Sequence, residues 1–98
     1  MKYTVDFTNI RSCADIHGEL KKSLYLPEHY GENLDALYDS LTDMEEDDTV
    51  IVIKSFDRVT ALSNDYAEKM LAVFRAVKDF AESLHISFDV IIKRAICN

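Results

Sequence analysis

Asp35, Asp39 and Asp43 stand at every fourth position, with Glu32 three residues before them and Glu46 three residues after. On a helix this spacing gathers the carboxylates along one face. Carboxylates one turn apart are suited to two kinds of chemistry. A pair flanking a substrate can act as general acid and general base, provided a concave site pushes their pKa values apart. A row of exposed anions can instead receive the cations of another molecule through charge-assisted hydrogen bonds.

The acid–base reading lacks the surroundings it needs. A convex helix surface is expected to give neither a pocket nor desolvation around Asp35 and Asp39. His17, His29 and His85 are far apart, and no Ser or Cys sits in a GxSxG setting. There is no HExxH and no glycine-rich phosphate loop. The EEDD run at 45–48 lacks the alternating ligands, central Gly and closing Glu of a calcium loop. The sequence therefore predicts no catalytic residue, no cofactor and no metal site.

The binding reading uses only what is visible. Like charges at i, i+4 cost about 0.2–0.5 kcal/mol per pair, and Asp35, Asp39 and Asp43 stack two such pairs. Between Lys22 and Lys54 there is no Lys or Arg, yet nine of the chain's eighteen carboxylates fall there: Glu28, Glu32, Asp35, Asp39, Asp43, Glu45, Glu46, Asp47 and Asp48. Elsewhere the chain alternates signs, with Glu19–Lys22, Arg75–Asp79 and Lys78–Glu82 at helical spacing. Such an uncompensated face points to a counter-charge on another molecule; a solvated, solubilising face is the plain alternative. Tyr38, at the border of the acidic and apolar faces, favours contact.

The elements that must position these groups follow from periodicity. Pro27 and Gly31 punctuate a turn, Asn33 is a suitable N-cap, and Leu34, Leu37, Tyr38, Leu41 and Met44 form the buried stripe of a helix running out near Met44. Residues 2–7 alternate as a half-buried strand. Ser12 and Asp15 resemble a capping box, opening a helix whose buried stripe is Cys13, Ile16, His17, Leu20 and Leu24. His17 is expected as a hydrogen-bonded core or boundary residue, and Lys21, Lys22 and Ser23 as a solvated end. The β-branched run 49–53 predicts a strand covered on both faces. Residues 55–62 read as a short helix or turn sealed by Phe56, Val59 and Leu62. Residues 67–84 form a strong helix with Met70, Leu71, Val73, Phe74, Val77, Phe80, Ala81 and Leu84 on its stripe, 87–93 form a third strand, and 94–98 a tail. The order β-α-α-β-α-α-β predicts an α/β fold with a three-stranded parallel sheet joined by right-handed crossovers.

Ninety-eight residues with two Gly and one Pro are expected to make one domain, 1–98. A formal charge of −7 argues against nucleic acid or an anionic membrane and for a basic protein partner. No secretory leader or membrane span is expected from this sequence, and Cys13 and Cys97 are read as free thiols of a reducing cytoplasm. The free protein is expected to be a monomer.

The segment LPEHYGENLDALYDSL resembles the core motif of the barstar family, the intracellular inhibitors of barnase-type secreted ribonucleases. IRSCADIHGELKKSL before it and LAVFRAV after it fit the same family, without a gap up to residue 77. The resemblance implies a barstar-like fold and an acidic helix that occupies the phosphate sites of a basic extracellular ribonuclease. An immunity role against a related toxin nuclease, and an acidic adaptor for a basic non-nuclease protein, are the alternatives. Carried over by position, Asp39 matches the carboxylate that fills the phosphate site and Asp35 one that pairs with enzyme arginines. Gly31, Asn33 and Thr42 match further contacts. Tyr38 stands where the family has Trp, and His29 where it has Tyr. His29, flanked by Glu28 and Glu32, makes binding pH-dependent or is simply a tolerated ring. Ala76 replaces an acidic contact, Asp43 replaces a Gly, and the region after Phe80 is about four residues longer. Asp43 and Glu46 are counted with the contact surface. These departures point to a cognate enzyme that is barnase-like in its active site and different at its rim.

Overall fold

The computed structural model describes residues 1–43 and 48–94. In chain order the elements are β1 (Lys2–Asp6), α1 (Cys13–Ser23), α2 (Leu34–Thr42), β2 (Thr49–Lys54), α3 (Asp57–Leu62), α4 (Asn64–Ser83) and β3 (Phe88–Ile92). This is the expected β-α-α-β-α-α-β order. The strands form one parallel sheet in the order β1-β2-β3. Tyr3 pairs with Ile51 and Ile51 with Val90, while Val5 pairs with Ile53 and Ile53 with Ile92. Because paired residues of a parallel ladder share a face, these side chains make one apolar surface. The helices pack against it: Ile16 and Leu20 from α1, Leu37 and Leu41 from α2, Val59 from α3, and Met70, Phe74 and Val77 from α4.

The centre strand β2 is largely buried on both faces, as its β-branched run predicts, whereas the flanking strands leave much of the other sheet face open. Lys2, Thr4, Asp6, Lys54, Asp89 and Ile91 are exposed there. Val52 is only 5% exposed yet lies outside the core cluster. Its register neighbours are Thr4 on β1 and Ile91 on β3.

Local chemistry sets the boundaries. Ser12 caps α1 by accepting from Asp15 N, but the Asp15 carboxylate receives Arg11 N rather than completing a capping box with Ser12. Ser63 caps α4 through Tyr66 N, starting this helix at Asn64, three residues before the expected Ala67. Cys13, Leu62, Phe80 and Leu84 are exposed, not buried on the stripes assigned to them. Phe80 and Leu84 instead line an apolar hollow with Thr49, Ile86 and Phe88. Lys78 bridges to Asp89 on β3 at 3.2 Å instead of to Glu82, and Arg75 forms no ion pair with Asp79 among the described residues. Glu19 and Lys22 do approach, at 3.8 Å. Met44, Glu46 and Cys97 lie outside the described residues, as does the tail beyond Arg94. Among the described residues no helix is long and apolar enough to cross a membrane.

Candidate functional site

The acidic helix is presented by a loop that its own sequence folds tightly. At the end of α1, Leu24 N donates to Leu20 O and Leu26 N to Lys21 O, with Tyr25 between them in the left-handed region at φ 55°. Leu24, Leu26 and Tyr30 are buried and fix the loop to the core. Tyr30 N donates to Pro27 O at 2.9 Å and closes a turn. A Cβ at Gly31 would lie 3.2 Å from the Ala36 Cβ, so Gly31 lets the loop lean on the first turn of α2. Glu32 is left-handed at φ 52°. Asn33 then caps α2, its Oδ1 accepting from Ala36 N at 2.7 Å and its Nδ2 donating to Gly31 O at 3.2 Å.

Beneath this loop sits His17, 1% exposed. Its Nδ1 is 2.6 Å from the Tyr30 hydroxyl, and its Nε2 meets the Tyr66 hydroxyl. The expectation of a hydrogen-bonded core histidine holds. A neutral imidazole has one N–H and one lone pair, so one tyrosine accepts from the ring while the other donates to it. Burial holds the His17 pKa below its ordinary value of 6.5, with the charge of Glu32 pulling weakly the other way. Burial likewise raises the Tyr30 and Tyr66 hydroxyls, and both stay protonated. Three elements are thereby joined through one ring: α1, the presenting loop and α4.

On α2 itself, Leu37 and Leu41 turn into the core while Asp35, Asp39 and Asp43 are exposed. Among the described residues no Lys or Arg forms an ion pair with any of the three. The surface is not simply convex, as expected above. An open groove of about 780 Å³ runs along one side of α2, lined in part by His29, Gly31, Ala36, Asp39 and Asp43. A second groove, between α2 and α4, is lined by Asp35, Tyr38, Asp39 and Ala76 among others. Asp39 borders both and forms the ridge between them. This follows from helical spacing, since residues 36, 39, 40 and 43 face one side and 35, 38 and 39 the other.

The candidate residues thus divide. His29, Gly31, Asp39 and Asp43 share the first groove, and Asp35, Tyr38 and Asp39 the second. Asn33 lines neither and is held by its cap. Thr42 turns its hydroxyl back to the Tyr38 carbonyl at 2.8 Å and borders an apolar hollow with Leu41, Val77 and Phe88. Glu46 lies outside the described residues. Ala76, where the family resemblance leads one to expect an acidic residue, lines the second groove with Asp35 and Asp39. Sequence reasoning missed Tyr25 and Ser40, which also line the first groove. The available signal for Tyr25 was an aromatic placed between Leu24 and Leu26, both on the buried side.

The family model described as Barstar (barnase inhibitor) matches residues 1–93. The chain belongs to the barstar family. A Bacillus subtilis (strain 168) protein named "Putative ribonuclease inhibitor YrdF" is 35% identical over 88 residues, covering 90% of each chain. Membership of the barstar family supports a barnase-inhibitor-like role and fits a protein that binds rather than catalyses. Within that frame, the barstar-like loop and α2 supply a rigid, carboxylate-bearing ridge flanked by two grooves.

Proposed function

We propose that this protein inhibits a basic, secreted, barnase-like ribonuclease by occluding its active site with α2, acting in the cytoplasm of the cell that makes the enzyme. The observation that carries the reading is the ridge of Asp35, Asp39 and Asp43, exposed and without a basic partner of its own among the described residues. A ribonuclease cleft is lined with Arg and Lys for RNA phosphates. Carboxylates fixed on a helix occupy those places with charge-assisted hydrogen bonds. Because α2 is capped and its loop is tied to the core, little ordering entropy is lost on docking. The acidic surface also attracts a basic enzyme at long range, so association slows as salt is raised.

In this reading Asp39 is the central anchor, Asp35 pairs with enzyme arginines, and His29, Gly31 and Tyr38 complete the walls beside them. Asp43 and Ala76 tune the rim and separate the cognate enzyme from barnase itself. The same mechanism serves an immunity protein against a related toxin nuclease. The test is suppression of RNA cleavage by a purified barnase-type enzyme, compared between wild type and Asp39→Ala. Truncating a central anchor is expected to cost at least about 2 kcal/mol of affinity. Inhibition unchanged in Asp39→Ala refutes the mechanism. Tight binding to a basic protein without nuclease activity, and none to the enzyme, would establish an adaptor instead.

A further inference from the structure

We infer that the first groove, whose lining includes Tyr25, Ser40 and Asp43, is a second anchor point that takes an arginine side chain from the rim of the partner nuclease. The partner's identity as a nuclease rests on the function proposed above; the groove's preference for arginine does not.

Tyr25 is 82% exposed, the highest value among the large apolar side chains described. A tyrosine presented this fully is not contributing to the core. It is nevertheless held in place. The hydrogen bonds of Leu24 N and Leu26 N bracket its backbone, and its ring lies tilted against Tyr3 with centroids 6.2 Å apart. At φ 55° Tyr25 holds a left-handed backbone that favours Gly or Asn, so a tyrosine there is conformationally costly. The result is a rigid aromatic surface at the edge of a groove whose other wall is acidic.

The lining decides the occupant. Asp39, Ser40 and Asp43 supply acceptors, and among the described residues lining the groove there is no Lys or Arg. Lys21, four residues before Tyr25, donates to the Glu28 carbonyl at 3.3 Å. An apolar side chain in this groove would strip water from carboxylates without replacing it, which is unfavourable. A guanidinium satisfies both surfaces at once. Its plane lies on the face of Tyr25 while its fork reaches a carboxylate and the Ser40 hydroxyl. An ammonium satisfies the carboxylate but not the flat stacking surface.

The decisive experiment has two arms. In the first, the protein is titrated with N-acetyl-arginine amide and, separately, N-acetyl-lysine amide, while amide and aromatic NMR shifts are followed. Saturable shifts at Tyr25, Ser40 and Asp43 are expected with the arginine probe, at least fivefold weaker with the lysine probe or in Tyr25→Ala, and retained in Tyr25→Phe. Absence of such shifts, equal response to lysine, or no change in Tyr25→Ala overturns the inference. In the second arm, Tyr25→Ala is expected to dissociate about tenfold faster from a barnase-type ribonuclease, with most of the effect in the off-rate. A complex weakened by Asp39→Ala but indifferent to Tyr25→Ala overturns the second anchor and leaves the proposed function standing. A complex indifferent to Asp39→Ala overturns the proposed function, and the arginine titration then decides the groove alone.

Discussion

Replacing His17 by Ala tests whether the presenting loop is held by the buried network described above. Two effects add at this position. The ring is fully enclosed, so its removal leaves a cavity in a region bounded by Tyr30 and Tyr66. The tyrosine hydroxyls also lose their common partner, and Tyr30, 6% exposed, has little water to replace it. Together these amount to about 3–5 kcal/mol. Against a typical total of about 5–15 kcal/mol, that is a large share. Urea unfolding at pH 7.5 and 25 °C, with the m-value monitored for two-state behaviour, measures it directly. A loss below about 1 kcal/mol would refute the network as a structural tie.

The same ring fixes a pH dependence whose sign can be worked out. The folded-state pKa of His17 is depressed from 6.5, chiefly by burial. The neutral form is therefore favoured by folding. Its contribution is fully present above pH 6.5 and is lost as pH falls through the depressed folded value. Protonation also makes both ring nitrogens donors, so the tyrosine that had donated its O–H must turn away. Stability should fall from pH 7 toward pH 5 in the wild type. His17→Gln, which keeps a donor and an acceptor but cannot titrate, should be less stable at pH 7 and flatter over that interval. A wild-type profile as flat as that of His17→Gln would remove the argument.

Other perturbations probe the site from different sides. Gly31→Ala places a Cβ 3.2 Å from the Ala36 Cβ, so the loop must shift by a few tenths of an ångström. A stability loss of about 1 kcal/mol and weaker ribonuclease binding are expected, measured by urea unfolding and by inhibition titration. Asn33→Ala removes the hydrogen bond to Ala36 N and should cost about 1 kcal/mol in thermal or chemical unfolding. Ala76→Glu adds a carboxylate to the groove shared by Asp35 and Asp39; tighter binding to a barnase-type enzyme, with at most a few tenths of a kcal/mol lost in stability, is expected from competition inhibition assays.

Periodicity sufficed for the elements because each one buries a single coherent face. Leu34, Leu37 and Leu41 specify α2 as clearly as Tyr3 and Val5 specify β1. Where the sequence misled, a feature other than period governs. Lys78 has Glu82 at the ideal spacing but finds Asp89 on the neighbouring strand, which no local pattern encodes. The start of α4 turned on one hydroxyl, that of Ser63.

For the candidate site, residue types were readable and their grouping was not. Asp35, Asp39 and Asp43 appear in sequence as one acidic face, whereas in the fold Asp39 divides two grooves that present different neighbours. One groove borrows its far wall from the loop before α2, and the other borrows it from α4, some forty residues downstream. This division has a consequence for specificity. Substitutions at Ala76 and at Tyr25 alter opposite sides of the same ridge while leaving its crest unchanged. Under the proposed function, a carboxylate on the crest would serve any enzyme with a phosphate site, and the two flanks could be changed independently to choose among such enzymes. His17 underlies the arrangement because its bond to Tyr30 fixes the loop wall, and its bond to Tyr66 ties that wall to the helix forming the opposite flank. Loosening the ring should thus weaken binding on both sides of Asp39 at once, although the ring itself touches neither groove.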